Sequence, residues 1–396
     1  MLKKTRISVD SDAEVPDFPA RASALAEKIE ARVDEAAVAA TLTPDVVEAL
    51  ESSDLFRMGL PRGLGGYEVD PATQVRTMET LAHIDGSTAW AVAIGNSSSF
   101  FAWLDQSAAL DLLDGRPSQP VSAVFAPTAR GVEVDGGYRV SGRWNWASGS
   151  PHAALFVLGF AVVGEDGQPR AAGDQPLPRW GVFAASEVEV QSNWLGAAGL
   201  RASGSHTVVV DDKFVPNENT FMPYREAPVA DGALYRLPFF TLARSALIGI
   251  PLGLARRALD ELNGLCRNKT RDSLVVALDG DVQIRLAKAE AALRASRTFL
   301  LDVTERTFAV ATGGQEVPLQ LRTEYTLASQ LAVSSSVGGA NLAFEIAGAS
   351  AAAAGDPIQR CWRDVNVAGQ HILFGRNKWR GAGAALLGVP VDPLHV

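Results

Sequence analysis

The stretch Arg143–Ala153 reads RWNWASGSPHA. Two tryptophans stand one residue apart, and Ala, Ser, Gly, Ser, Pro and His follow them. Aromatic residues favour strands, while Gly, Ser and Pro favour turns, so one reading is a strand that ends in a turn. The other is a flat aromatic ligand that lies against the strand's backbone, with a hydroxyl aimed at its edge. The local pattern leaves both open, and the flanking chain has to separate them.

Around this stretch, VSAVFAPTARGVEVDGGYRVSGRWNWASG alternates its side chains and carries VDGGY, a hairpin turn between two strands. AALFVLGFAVV, RWGVFAASEVEVQSNW and SHTVVVDDKFVP extend the β texture to about Pro216. The chain on either side reads as helix. Leu25, Ile29, Val33 and Ala37 form one stripe at spacings of four, and Thr43 followed by Pro44 marks a helix start. After Pro228 the helices are long and rich in Ala, Gly and Ser, which lets helices pack closely. The order predicts three domains: an N-terminal helical domain (1–117), a central β domain (118–228) and a C-terminal helical bundle (229–396).

Composition narrows the function. A net charge of -9 over 396 residues argues against a nucleic-acid partner, which needs clustered Lys and Arg. No apolar run is expected to reach the length of a membrane span, and the lysines near the start have no apolar stretch behind them, so no signal peptide is read. Cys266 and Cys361 stand alone, and five histidines without HExxH or CxxC predict no metal centre. The expectation is a cytoplasmic protein. GAGAALLG (Gly381–Gly388) lacks the third glycine and the preceding strand of a dinucleotide fingerprint, so no nicotinamide site is read.

Among the histidines, His371 follows Arg360, Arg363 and Asp364 within a few helical turns, which raises it above a structural residue. Imidazole also titrates nearest to neutral pH. His152 and His206 fall in β-block loops and are expected to be exposed. No catalytic role is assigned to them, to His83 or to His395.

The motifs LPRGLGGYEVDP, YRVSGRWNWASG, WLGAAGLRASGSHTVVVDDKFVP and QRCWRDV, in this order, resemble the acyl-CoA dehydrogenase superfamily. The resemblance implies an α+β, mostly α fold: a helical domain, a central β-barrel or sandwich, and a C-terminal four-helix bundle, usually in a homotetramer. Those dehydrogenases use a Glu as base. By alignment, its two alternative seats here are Phe374 and Ala243, both apolar. WNWASGSPHA and RCWRDVNVAGQH are instead similar to the oxygenase components of two-component flavin-dependent monooxygenases, such as the steroid-catabolic phenol hydroxylase, 4-hydroxyphenylacetate hydroxylase and dibenzothiophene monooxygenase.

That resemblance implies a reduced flavin (FMNH2 or FADH2) delivered by a separate NAD(P)H:flavin reductase, with O2 as co-substrate and a flavin C4a-hydroperoxide that hydroxylates a small aromatic or heteroaromatic molecule. It implies Ser148 near flavin N5 and His371 facing the reacting carbon as the catalytic pair. Phe125, Ala126, Trp146, Ser148 and Arg271 would bind the cofactor, with the strand that bears Trp144 and Trp146 flanking its ring. The substrate pocket would take Asn96, Ser97, Phe100 and Phe374. Asn96–Phe100 replace histidines of some relatives, and Asn366 replaces another, so the pocket is rebuilt. The alternatives are a flavin dehydrogenase or oxidase with a relocated base, and a relative that keeps the fold for binding or assembly alone.

Overall fold

The computed structural model describes residues 14–172, 175–223, 225–271 and 274–392. Seven helices come first: α1 (Phe18–Ser23), α2 (Ala26–Glu30), α3 (Val33–Ala39), α4 (Pro44–Ser52), α5 (Pro71–Ile84), α6 (Gly86–Gly95) and α7 (Gln106–Leu113). The stripe from Leu25 to Ala37 is therefore not one helix. Leu25 and Arg32 adopt near-bridge backbone conformations that break it into α1, α2 and α3, although Ile29 and Val33 still bury. Asp70 and Asp85 cap α5 and α6 by accepting from the Thr73 and Thr88 amides.

The β region contains β1 (Val121–Val134), β2 (Gly137–Ala147), β3 (Leu155–Val163), the short β4 (Ala171–Ala172) and β5 (Gln175–Pro176), β6 (Pro178–Ala184), β7 (Glu189–Gln191), β8 (His206–Pro216) and β9 (Thr220–Phe221). Seven of these form one sheet in the order β7-β8-β2-β1-β3-β6-β9. Val134 pairs with Gly137 across the Asp135–Gly136 turn, and Gly136 has φ 78°, so VDGGY is the hairpin its glycines suggest.

Two irregularities in this sheet shape the site. Between β1 and β3 the register jumps from Val124/Leu158 to Ala129/Phe160, so Phe125–Thr128 bow out opposite the single residue Gly159. Between β2 and β8 it jumps from Trp144/Val208 to Ala147/His206, which inserts one extra residue into β2.

After β10 (Thr270–Arg271) and β11 (Leu274–Val275), which pair with each other, and the preceding α8 (Phe239–Ser245) and α9 (Gly249–Asn268), the long helices α10 (Gly280–Thr312) and α11 (Leu319–Ala347) lead to α12 (Pro357–Ala368) and α13 (Arg376–Leu386). Small residues set the closest packing. A Cβ on Gly249 would sit 2.2 Å from the Val75 carbonyl oxygen, and one on Gly253 2.2 Å from that of Glu79, so α9 lies directly on α5. One apolar core runs through both helical regions and a second fills the β region around Trp144, Phe156, Phe160 and Phe183.

The sequence expectation about membrane spans needs correction. Phe239–Asn268 is long and apolar enough by composition, with a window of mean hydropathy 1.2. However, 78% of that window is buried inside the protein, as befits core helices, and a turn at 246–248 divides it into α8 and α9.

Gly159 is the tightest point under the β1 bow. A Cβ there would lie 2.8 Å from the Phe125 carbonyl oxygen and 2.9 Å from Trp180 Nε1. Gly159→Ala is expected to destabilise the fold by roughly 1–3 kcal/mol in denaturant unfolding, because the bow or the indole must shift. Gly264→Ala, on an open face of α9 with nothing within 4 Å, is the control and should be neutral or slightly stabilising.

Candidate active site

The two tryptophans of the opening stretch have opposite fates. Trp144 follows the strand's alternation into the β core, where it is fully buried and its Nε1 donates to the Gly159 carbonyl at 2.7 Å. Of the two indoles on this strand, that of Trp144 therefore belongs to the core. Period two would send Trp146 inward as well, but the extra residue in β2 gives it φ 62° and leaves its indole 72% exposed. A tryptophan held with left-handed backbone geometry is strained, and such strain persists where the surroundings enforce it.

Two residues on, Ser148 points back into the protein. Its Oγ accepts from Trp90 Nε1 at 3.0 Å and lies 2.7 Å from Ser205 Oγ, which lies 2.7 Å from Ser203 Oγ. If Ser203 and Ser205 each donate along this chain, the Ser148 proton is left to point at a ligand. Ser122 Oγ donates to the Ser148 carbonyl at 2.8 Å, and the Gly149 amide donates to the Ser203 carbonyl at 2.8 Å. The hydroxyl is thus fixed from three sides.

Trp90 also joins Ser148 to His371. The Trp90 and His371 rings meet edge-on with centroids 5.4 Å apart, and Phe374 packs on the far side of the imidazole at 6.1 Å. His371 Nδ1 accepts from the Leu373 amide at 3.4 Å, which leaves the ring hydrogen on Nε2. Burial lowers its pKa to about 4, so the ring is neutral across the physiological range. A third wall is aromatic: Phe125 sits 4.6 Å from Phe100, 5.4 Å from Phe239 and 5.9 Å from Trp180.

Buried carboxylates hold this assembly from behind. Asp364 on α12 accepts from the Leu200 amide at 2.6 Å, and Ser87 Oγ accepts from the Ala202 amide at 3.2 Å, so α12 and α6 both grip the loop that carries Ser203 and Ser205. Burial, and then the nearby Asp85 charge, push the Asp364 carboxyl up to about 7.

The structure qualifies several other sequence-predicted residues. The Phe125 carbonyl is taken by Trp180 Nε1 at 3.0 Å, so Ala126 and the exposed residues after it are the part of the bow that faces outward. Asn96 spends its amide on backbone: Nδ2 donates to the Leu55 and Val92 carbonyls, and Oδ1 accepts from the Gly59 amide. It shapes the end of α6 rather than offering a donor to a substrate. Ser97 is buried beside it, and Phe100 and Phe374 line the aromatic walls. Arg271 pairs through its backbone with Leu274, and its side chain lies outside the described residues, as does His395. Asn366 donates to Asn341 and Trp362 on α12's outer side.

The histidines of the β-block loops are not exposed as expected. His206 is buried and its Nδ1 accepts from the Asn193 and Trp194 amides. Both ring nitrogens of His152 are buried without a partner, and burial lowers its pKa to about 4. Its sequence neighbours are turn formers, which carry no signal of burial.

These residues fit a flavin. An isoalloxazine is flat, apolar on its faces and polar along one edge. The outward Trp146 indole, the bowed backbone at Ala126, the aimed Ser148 hydroxyl and the neutral His371 supply contacts of each kind.

Comparison with known proteins agrees with this geometry. The family model for the N-terminal domain of acyl-CoA dehydrogenases matches residues 20–105, and that for the C-terminal domain matches 246–376. The chain is 31% identical over 350 residues to indole-3-acetate monooxygenase of Pseudomonas putida, covering 88% of this chain and 87% of that one. It is 30% identical over 365 residues to the flavin-dependent monooxygenase oxygenase subunit HsaA of Mycobacterium tuberculosis, covering 85% and 89%. The crystal structure of 3-HSA hydroxylase from Rhodococcus sp. RHA1 superposes with a TM-score of 0.87 at 27% identity, over 97% of this chain and 100% of that one.

Ser148→Ala removes the acceptor of the buried Trp90 indole, so it is expected to cost roughly 1–3 kcal/mol in equilibrium unfolding. Ser203→Ala, which leaves Ser205 its bond to Ser148, should cost less. Equal losses in the two variants would contradict the hydroxyl chain.

Proposed function

Because this chain belongs to the flavin-dependent monooxygenases built on the acyl-CoA dehydrogenase fold, we propose that it oxygenates a small aromatic or heteroaromatic substrate, using O2 and reduced flavin received from a separate reductase. The relatives' names support an aromatic substrate and a division of labour between oxygenase and reductase. When bound, the reduced flavin supplies two electrons to dioxygen, so that one oxygen atom enters the substrate and the other leaves as water.

The observation that carries the reading is the link from Ser148 through Trp90 to His371, with the apolar Phe374 packed on the imidazole. Ser148 orients a proton toward the flavin's polar edge. His371, neutral and hydrogen-bearing at Nε2, donates a hydrogen bond where the oxygen reacts, and Trp90 fixes both at once. Phe100, Phe125, Phe239 and Phe374 keep water out, which slows loss of the hydrogen-bonded proton to solvent. Trp146 and the bow at Ala126 hold the ring system, with Arg271 assigned to its phosphate and a homotetramer as the working assembly.

The decisive experiment mixes the protein anaerobically with reduced FMN or FAD, then adds oxygen while absorbance is recorded. A delay before oxidised flavin appears, changed by adding substrate, is expected. Immediate oxidised flavin with peroxide, for both flavins, would overturn the proposal.

Two further outcomes follow from His371. His371→Ala is expected to reduce product formation by roughly a hundredfold while reduced flavin is still oxidised, so that oxygen appears as peroxide. Full coupling in that variant would remove His371 from the reaction. The pH dependence has a definite sign. Because the folded pKa is depressed to about 4, the neutral donor persists as pH falls from 8 to about 5, and coupling should fail only on approach to 4. Loss of coupling centred near 6.5 would show that the ring is not buried as described. Over the same range His371 itself binds more protons in the unfolded chain, so its own contribution to stability declines as pH drops below 6.5.

A further inference from the structure

Behind the aromatic wall lies a buried guanidinium that the oxygenation chemistry does not use. Helix α8 opens with Phe239 and Phe240. The Phe239 ring is 5.1 Å from Phe100 and 5.4 Å from Phe125, so it faces the candidate site. One turn after Phe240 comes Arg244, which is 1% exposed. Its Nη1 donates to Thr326 Oγ1 at 2.9 Å, and its guanidinium stands 5.6 Å from the Tyr325 ring centroid. Its Nε–H is buried without an acceptor, and so are the Tyr325 hydroxyl and the Gln330 side-chain amide on α11. Gln330 lies one turn beyond Thr326, on the same side of the helix.

A second cation stands close by. Lys378 on α13, one turn past Phe374, holds its Nζ 4.4 Å from the centre of the Phe240 ring. Burial, and then the Arg244 charge, lower its pKa to about 8, with Asp392 acting in the opposite sense. Burial also lowers Arg244 to about 10, and no acidic side chain among the described residues acts on it. A buried guanidinium without a counter-charge is costly, and three buried groups without partners compound the cost. One group answers all of these needs: a planar monoanion that accepts from Nε and from the neighbouring donors.

We propose that Arg244 anchors the carboxylate of an aromatic substrate, so that the protein takes aromatic acids in preference to their neutral counterparts. The ring would lie along Phe239 and Phe240, between the anchor and the end of the site that holds Ser148 and His371. This specificity rests on the monooxygenase reading above, and Arg244 acts in it as a binding residue.

The test pairs phenylacetate, 4-hydroxyphenylacetate and indole-3-acetate each with its primary amide, using the full-length protein, reduced flavin and oxygen, with product formation as the readout. For the pairs that react, the acid is expected to show a kcat/KM at least about tenfold above the amide, carried mainly by KM. Arg244→Gln should bring that ratio close to one. If the variant does not fold, the wild-type ratio decides alone. Equal values for acid and amide, a preference for amides, or no reaction with any pair by protein that still delays flavin oxidation would each overturn the assignment. Loss of that delay in the wild type would instead remove the monooxygenase reading on which it rests.

Discussion

The site depends on one extra residue in β2. Between the pairs Trp144/Val208 and Ala147/His206 the strand carries two residues where β8 carries one. Without that insertion the alternation would bury Trp146 beside Trp144 in the β core and carry the strand on past Ser148. With it, the chain spends a left-handed conformation on a bulky residue, displays an indole at the surface, and turns the next hydroxyl inward to Trp90. The bow of Phe125–Thr128 over Gly159 is its counterpart on β1. Two local departures from regular pairing thus open a regular sheet into a place where something flat can lie, on the side where α6 and the end of α12 approach.

A bulge of this kind needs support, and the support is ionic in an apolar setting. Asp364 is almost fully buried, and burial together with Asp85 raises its pKa to about 7, so its charged form is costly there. It is retained because the Leu200 amide, on a residue with φ 50°, has Asp364 Oδ1 as acceptor. The cavity of about 440 Å³ beside it is lined by Asp34, Asp85 and Asp364 and by Arg201, Arg360 and Arg363. The two signs offset one another across that space, which suits a joint between helices better than a receptor for a charged ligand. The contrast with Arg244 is plain: similar burial, with no acidic side chain among the described residues acting on it.

Much of this was legible in the sequence. The change from helix to alternating strands and back set the order of the blocks, and WNWASG, which taken alone also suits a strand end and turn, marked the site through its resemblance to the oxygenases. What pattern could not supply was direction. Trp144 and Trp146 share strand parity, and only the pairing with β8, set by residues sixty positions away, sends them to opposite sides. His152 and His206 were misjudged for the same reason, since turn-forming neighbours say nothing about which body later covers the turn. Asn96 looked like a pocket residue by position, yet its amide is consumed by backbone groups of the preceding segments. Arg244 was visible only as the neighbour of an apolar seat. Its significance comes from what the fold fails to put beside it.

The distribution of charge explains how a dehydrogenase scaffold comes to suit oxygenation. Proton abstraction next to a thioester needs a carboxylate at the reacting carbon, and a carboxylate would also give up or take protons readily. Here the apolar Phe374 packs on the histidine, the histidine is held neutral by burial, and the hydroxyls of Ser203, Ser205 and Ser148 pass hydrogen bonds without carrying charge. Ser148 and His371, the two partners of Trp90, are therefore neutral dipoles suited to holding a proton in place rather than exchanging it. Formal charge lies farther from Trp90, at Asp364 under the loop and at Arg244 and Lys378 near Phe240. In a dry pocket that separation matters: neutral donors can orient a reactive oxygen without offering a route for its proton to leave, while Asp364 behind them fixes the frame.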